Sequence, residues 1–115
     1  MNVTIYHNPR CSKSRQTLQL LTEQGIEANI VEYLNAPPSA DELKQILNSL
    51  DMKPRELMRK NESIYKESNL NDAGLSDEQL VAAMIEHPIL IERPIVLANG
   101  KASIGRPPEN VLEIL

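Results

Sequence analysis

The sequence predicts an α/β domain made of a β–α–β segment, a helical middle, and a β-hairpin followed by a last helix. Three observations carry this prediction. Short apolar runs flank a helical pattern near the N-terminus, two capping boxes mark helix starts in the middle, and an Asn-Gly pair separates two apolar runs near the C-terminus. A chain of 115 residues can build one core but not two, so we expect a single domain over residues 1–115.

The N-terminal third predicts a strand, a helix and a second strand. Apolar residues alternate over Val3–Tyr6, which is typical of a half-buried strand. Residues 13–24 carry apolar side chains at helical spacing, and Gly25 suits the position that follows a helix end. Residues 28–33 predict the second strand. Two strands joined by a helix pair in parallel with a right-handed crossover.

The middle of the chain predicts helices. Ser39 with Glu42 and Ser76 with Gln79 form two capping boxes, each followed by apolar residues at helical spacing. Between them, asparagine and glycine residues interrupt the pattern, so residues 51–77 are expected to be helical only in fragments.

The C-terminal part predicts a β-hairpin. Asn99-Gly100 is a strong type I′ turn signal between a strand at 95–98 and a return strand at 102–104. A pair of prolines then begins a last helix. The complete order of elements is that of a thioredoxin-like fold, with a mixed β-sheet flanked by helices and an enlarged helical insert in the middle.

The composition excludes several functional classes. A net charge of −4 gives no general attraction to nucleic acid or to anionic lipid. No apolar run reaches membrane-spanning length, and no secretory leader is recognisable. One cysteine allows neither an internal disulfide nor a paired-cysteine metal site. We therefore expect a cytoplasmic monomer with no bound metal or cofactor and no nucleic-acid or membrane partner.

The lone cysteine, Cys11, is the main candidate for chemistry. It falls between the first strand and the first helix, so it lies at or near a helix N-terminus, with His7, Arg10, Lys13 and Arg15 nearby in sequence. Free backbone N–H groups, the helix dipole and cationic side chains favour a thiolate, and the same donors can hold an oxyanion beside the sulfur. Most lone cysteines are inert and buried. This context favours a reactive one.

The residues after Cys11 limit the kind of redox chemistry. A serine, Ser14, stands three residues after the cysteine, where a dithiol oxidoreductase carries its second thiol. Any redox cycle must therefore use an external thiol.

Three arginines outside this loop are candidates for binding an anion, namely Arg59, Arg93 and Arg106. Arginine is suited to two-pronged contact with a tetrahedral oxyanion. Each one alone is more often a solvated surface charge. Arg93 is the better candidate because it directly precedes Pro94 and an apolar strand.

Four motifs form a specific pattern in register over nearly the whole chain: Tyr6-His7-Asn8-Pro9-Arg10-Cys11-Ser12-Lys13-Ser14-Arg15, Leu57-Met58-Arg59-Lys60-Asn61, His87-Pro88-Ile89-Leu90-Ile91-Glu92-Arg93-Pro94-Ile95-Val96 and Arg106-Pro107. This pattern resembles the glutaredoxin-coupled arsenate reductase family of ArsC-like proteins. The resemblance implies a thioredoxin-like fold and an enzyme that reduces arsenate to arsenite through a covalent adduct on one cysteine. It also implies glutathione as co-substrate and glutaredoxin as the protein partner.

The resemblance also implies roles for individual residues. The nucleophile falls on Cys11, the loop histidine that helps to keep it ionised falls on His7, and the structural cis proline falls on Pro94. The substrate-binding positions fall on the arginine triad and on the loop after the cysteine: Arg59, Arg93, Arg106, Ser12, Lys13 and Ser14.

At Ser12-Lys13 the chain differs from the Gly-Thr that is typical of family enzymes with arsenate activity. Two alternatives therefore stay open. One is a glutathione-linked monothiol oxidoreductase that acts on another oxyanion or on a mixed disulfide. The other is a redox-responsive regulator that binds a protein such as RNA polymerase.

Overall fold

The computed structural model describes residues 2–115 and divides the chain into two compact units. One unit comprises residues 2–36 and 93–115, and the other comprises Pro37–Glu92. The expectation of a single domain stays a prediction. Within the described residues, none of the helices has the length and apolar character needed to cross a membrane.

The unit of residues 2–36 and 93–115 contains the β-sheet. Its elements are β1 (Val3–Tyr6), α1 (Ser12–Glu23), β2 (Asn29–Val31), β3 (Ile95–Ala98), β4 (Lys101–Ile104) and a 3-10 helix at Pro108–Ile114. In the described part of the chain the strand order is β2-β1-β3-β4. Strand β1 is parallel to β2 and antiparallel to β3, and β3 is antiparallel to β4. The predicted mixed, thioredoxin-like sheet is confirmed.

The core of this unit follows from the alternation in the strands. Val3 and Ile5 point to the same face because side chains alternate along a strand, and both are fully buried. They pack with residues of α1, of β3 and of the C-terminal 3-10 helix. The buried members of this cluster are Val3, Ile5, Leu21, Val96, Ala98, Val111 and Ile114.

Four details differ from the sequence-based prediction. Helix α1 covers Ser12–Glu23 rather than residues 13–24. Strand β2 covers three residues rather than six; among the described strands it lies at the edge of the sheet and pairs only with β1, and its Ile30 is exposed. The return strand begins one residue earlier, at Lys101. The last helix is a 3-10 helix rather than an α-helix. The turn is as predicted, since Asn99 and Gly100 have φ of 55° and 72°, as a type I′ turn requires.

The unit Pro37–Glu92 is the predicted helical insert. It contains α2 (Ala40–Leu50), α3 (Pro54–Leu57), α4 (Ser63–Glu67), α5 (Asp77–Glu86) and a 3-10 helix at Pro88–Leu90. Both predicted capping boxes are present, at Ser39 and at Ser76. The fragmented middle is confirmed as the two short helices α3 and α4. Leu43 and Ile46 of α2 and Leu80 and Met84 of α5 are buried.

Candidate active site

Cys11 is the residue that caps the N-terminus of α1, as the sequence predicts. Its backbone is extended (φ −92°, ψ 124°), and its N–H donates to the carbonyl of Asn8 at 3.0 Å. The residue is only 9% exposed. The free N–H groups of the first helical turn, those of Lys13 and Ser14, act on the sulfur and stabilise its negative charge.

Arg106 is the side chain that reaches the sulfur. Its Nη2 lies 3.6 Å from Cys11 Sγ, although the two residues are 95 positions apart. Its Nε donates to the backbone carbonyl of Arg93 at 2.8 Å, and this contact fixes the orientation of the guanidinium. The structure therefore brings Cys11, Arg93 and Arg106 together in the unit that holds the sheet.

Both arginines precede a cis proline. The Arg93–Pro94 peptide bond is cis, and Pro94 is buried directly before β3. The Arg106–Pro107 bond is also cis, although nothing in the sequence predicted this. Both bonds share the Arg-Pro sequence, but that sequence alone does not distinguish a cis bond from a trans one.

The pKa of the Cys11 thiol is lowered from its usual value. Burial is the largest single influence and would raise the pKa, because it disfavours the charged form. The N–H of Ser14, the charge of Arg93, the N–H of Lys13 and the charge of Arg106 together outweigh it. The site therefore favours the thiolate, which is the reactive form of cysteine.

The cations next to Cys11 in sequence have other contacts. Arg15 Nη1 donates to the carbonyl of Pro9 at 2.9 Å and braces the loop from its outer side. Arg10 is exposed, and its backbone N–H donates to Asn8 Oδ1 at 3.0 Å. The charges that lower the pKa of the cysteine come instead from Arg93 and Arg106.

His7 contacts Ser14 and lies one residue beyond the end of β1. Its Nδ1 is 2.6 Å from Ser14 Oγ, and the same oxygen accepts the N–H of Asn8 at 3.0 Å. Burial lowers the pKa of His7; Glu32 opposes this shift and Arg15 adds to it. The lowered pKa favours the neutral imidazole near pH 7, and the contact with Ser14 connects His7 to the first turn of α1. Its role in keeping Cys11 ionised stays a prediction.

The remaining predicted substrate-binding residues divide into two groups. Ser12 and Lys13 are exposed on the first turn of α1, whereas Ser14 is buried. Arg59 belongs to the unit Pro37–Glu92, where its Nη2 forms an ion pair with Glu62 Oε2 at 3.0 Å. Its backbone N–H donates to the carbonyl of Leu90 at 2.7 Å. The roles of these residues in substrate binding stay predictions.

A pH-dependent stability is expected from His7. Its pKa in the folded protein lies below the unfolded value of about 6.5, so keeping it neutral contributes stability above that pH. This contribution is lost as the pH falls through the lower folded-state value. In urea unfolding between about pH 8 and pH 5, the parent should lose more stability than His7→Gln. Parallel pH profiles for the two proteins would contradict a buried, neutral His7.

Comparisons with known proteins agree with this fold. Residues 6–114 match the ArsC family. The chain is 60% identical to the uncharacterized protein YfgD of Escherichia coli (strain K12), over 98% of this chain and 96% of that protein. It is 51% identical to an arsenate reductase of Neisseria meningitidis serogroup A, over 98% and 97% of the two chains.

A solved structure shows the same architecture. An arsenate reductase from Vibrio cholerae superposes with a TM-score of 0.97 at 58% identity, covering 100% of this chain and 98% of the other. The chain thus combines a thioredoxin-like fold with one thiol at the N-terminus of the first helix. The chain belongs to the ArsC family.

Proposed function

We propose that this protein is an arsenate reductase that uses Cys11 as its nucleophile. The observation that carries the proposal is the sulfur of the only cysteine, placed at the N-terminus of α1 and 3.6 Å from the guanidinium of Arg106. A thiolate beside anion-binding groups is suited to attack a tetrahedral oxyanion. The name arsenate reductase, carried by relatives about half identical over nearly their whole length, supports arsenate as that oxyanion.

The first step forms a covalent adduct. Arsenate binds against the N–H groups at the start of α1, and Arg93 and Arg106 balance its negative charge. The Cys11 thiolate then attacks arsenic, a sulfur–arsenic bond forms, and one arsenate oxygen leaves as water or hydroxide. The same groups that lower the pKa of the thiol also stabilise the negative charge of the substrate oxygens.

The second step transfers two electrons to arsenic. The thiol of glutathione attacks the adduct, and a disulfide forms between the glutathione sulfur and Cys11. The two sulfur atoms together lose two electrons, arsenic passes from the +5 to the +3 state, and arsenite leaves. Ser14 stands where a second thiol would otherwise resolve this disulfide, so glutaredoxin removes the glutathionyl group.

We also propose that Arg59 binds the substrate oxyanion. This role rests on the family resemblance, which assigns Arg59, Arg93 and Arg106 to the oxyanion. Its ion pair with Glu62 would then compete with the oxyanion for the same guanidinium. Arg59→Ala and Glu62→Gln test this assignment, because the first should weaken arsenate binding and the second should strengthen it.

The proposed function is tested by coupled turnover. Purified protein is mixed with glutathione, glutaredoxin, glutathione reductase and NADPH, and NADPH consumption is followed as arsenate is added. Consumption that requires both arsenate and this protein is the expected result. Consumption with a mixed-disulfide substrate but not with arsenate would instead favour a glutathione-linked oxidoreductase. Absence of turnover with both substrates would contradict the enzyme proposal and favour a regulator.

A further inference from the structure

Thr17 is a buried polar residue on α1 that no sequence motif marks as functional. Its side chain faces the interior of the unit that contains the sheet and has no exposed surface. Its Oγ1 donates to the carbonyl of Lys13 at 2.8 Å and lies 3.5 Å from the carbonyl oxygen of Gly105. Thr17 therefore joins the first turns of α1 to the segment that follows β4.

Gly105 lies very close to the side chains of Thr17 and Pro94. A Cβ at this position would lie 2.9 Å from Pro94 Cγ and 3.0 Å from Thr17 Cγ2, and still closer to Thr17 Oγ1. The backbone of Gly105 is not left-handed, so close approach and not a special conformation requires glycine here. Its N–H also donates to the carbonyl of Pro94 at 3.0 Å.

This contact directly precedes the arginine that reaches the sulfur. Gly105 is followed by Arg106, and Pro94 is preceded by Arg93, whose carbonyl accepts the Nε of Arg106. Thr17 also lies on the same helix that Cys11 caps. The close packing of Thr17, Gly105 and Pro94 thus fixes the distance between the two chain segments that carry the sulfur and the guanidinium.

We propose that Thr17 and Gly105 are positioning residues that hold the guanidinium of Arg106 against Cys11. A methyl group at residue 105 would overlap the buried side chains of Thr17 and Pro94, so these side chains or the segment around residue 105 must shift. A shift of that segment displaces the next residue, Arg106, relative to the sulfur. The proposal rests on the proposed function only in treating this sulfur–guanidinium pair as the reacting centre.

The test substitutes Gly105→Ala and follows two properties. We expect kcat/KM for arsenate to fall about tenfold or more, mainly through kcat, because a misplacement of about 1 Å costs up to about a hundredfold in rate. We also expect the pH midpoint of Cys11 alkylation by iodoacetamide to rise, because Arg106 contributes to the low pKa of this thiol. Gly74→Ala is the matched control, since a methyl there meets only the Asp72 side chain at 3.2 Å.

Two double variants distinguish a positioning role from a general loss of structure. In Thr17→Ala/Gly105→Ala the new methyl occupies space that Thr17 leaves, so kcat and the alkylation midpoint should return part of the way to the parent values. In an Arg106→Ala background no guanidinium remains to be displaced. Gly105→Ala should then produce little further change in the alkylation midpoint.

Specific outcomes overturn the proposal. It is wrong if Gly105→Ala keeps the parental midpoint and kcat, or if its full effect persists in the Arg106→Ala background. If Gly105→Ala does not fold, the Thr17 variants provide the test. Thr17→Ala should raise the pH midpoint of Cys11 alkylation, whereas Thr17→Ser, which keeps the hydroxyl, should not. Equal midpoints in these two variants would overturn the proposal. Because alkylation needs no arsenate, these results are independent of whether arsenate is the substrate.

Discussion

Replacing Cys11 with serine is expected to abolish arsenate reduction and leave the fold intact. The hydroxyl of serine remains protonated near neutral pH and cannot be oxidised to a disulfide, so both proposed chemical steps are lost. We expect turnover to fall by at least about a thousandfold in the coupled assay. Serine has the same side-chain shape as cysteine with a slightly smaller atom in place of the sulfur, so thermal unfolding should stay within a few degrees of the parent.

Thermal unfolding serves as the control for Cys11→Ser. A variant that melts like the parent and has no turnover assigns the chemistry to the thiol. Residual activity within about tenfold of the parent would exclude Cys11 as the nucleophile.

The second large effect is expected at Arg106. Arg106→Ala should lower kcat/KM for arsenate by about a hundredfold, the usual loss when one preorganised donor is removed from an anion site. It should also raise the pH midpoint of Cys11 alkylation, because the cation at 3.6 Å from the sulfur is removed. Arg106→Lys should recover only part of the activity, since an ammonium group on a flexible stem lacks the rigid fork that contacts the Arg93 carbonyl through Nε and the sulfur through Nη2.

Lys101→Ala is the matched control for the arginine variants. It also removes a cation near the C-terminal hairpin, but its side chain is exposed on β4. Its kcat/KM should stay close to the parent value. If Arg106→Ala behaved like Lys101→Ala, Arg106 would be an ordinary surface charge and the oxyanion assignment would be wrong.

Much of the fold could be predicted because its signals are local. The alternation in Val3–Tyr6, the two capping boxes and the Asn99-Gly100 turn each depend on residues close together in sequence. Local signals also placed Cys11 at a helix N-terminus. The parallel pairing of β1 with β2 followed from the intervening helix, because two strands joined in that way pair in parallel.

The electrostatics of the site could not be predicted from neighbours in sequence. Arg10 and Arg15 are close to Cys11 along the chain, but the structure directs them to loop contacts or to solvent. The cations that act on the sulfur are Arg93 and Arg106, which the sheet brings back to the start of α1. Likewise, a histidine beside basic residues suggests a cation, whereas burial makes His7 neutral.

The requirement for glycine at residue 105 was also invisible in the sequence. Nothing local distinguishes Gly105 from a turn glycine, since its constraint comes from Thr17 on a different element. Such close approaches are defined only once the strands and α1 are packed together.

The most direct test of the central claim is the intact mass of the protein after a single turnover. The protein is incubated with arsenate and glutathione but without glutaredoxin, and its mass is measured under non-reducing conditions. We expect a gain of one glutathionyl group on Cys11 that requires arsenate and is removed by adding glutaredoxin. An unchanged mass while arsenite is produced would contradict a mechanism that passes through Cys11.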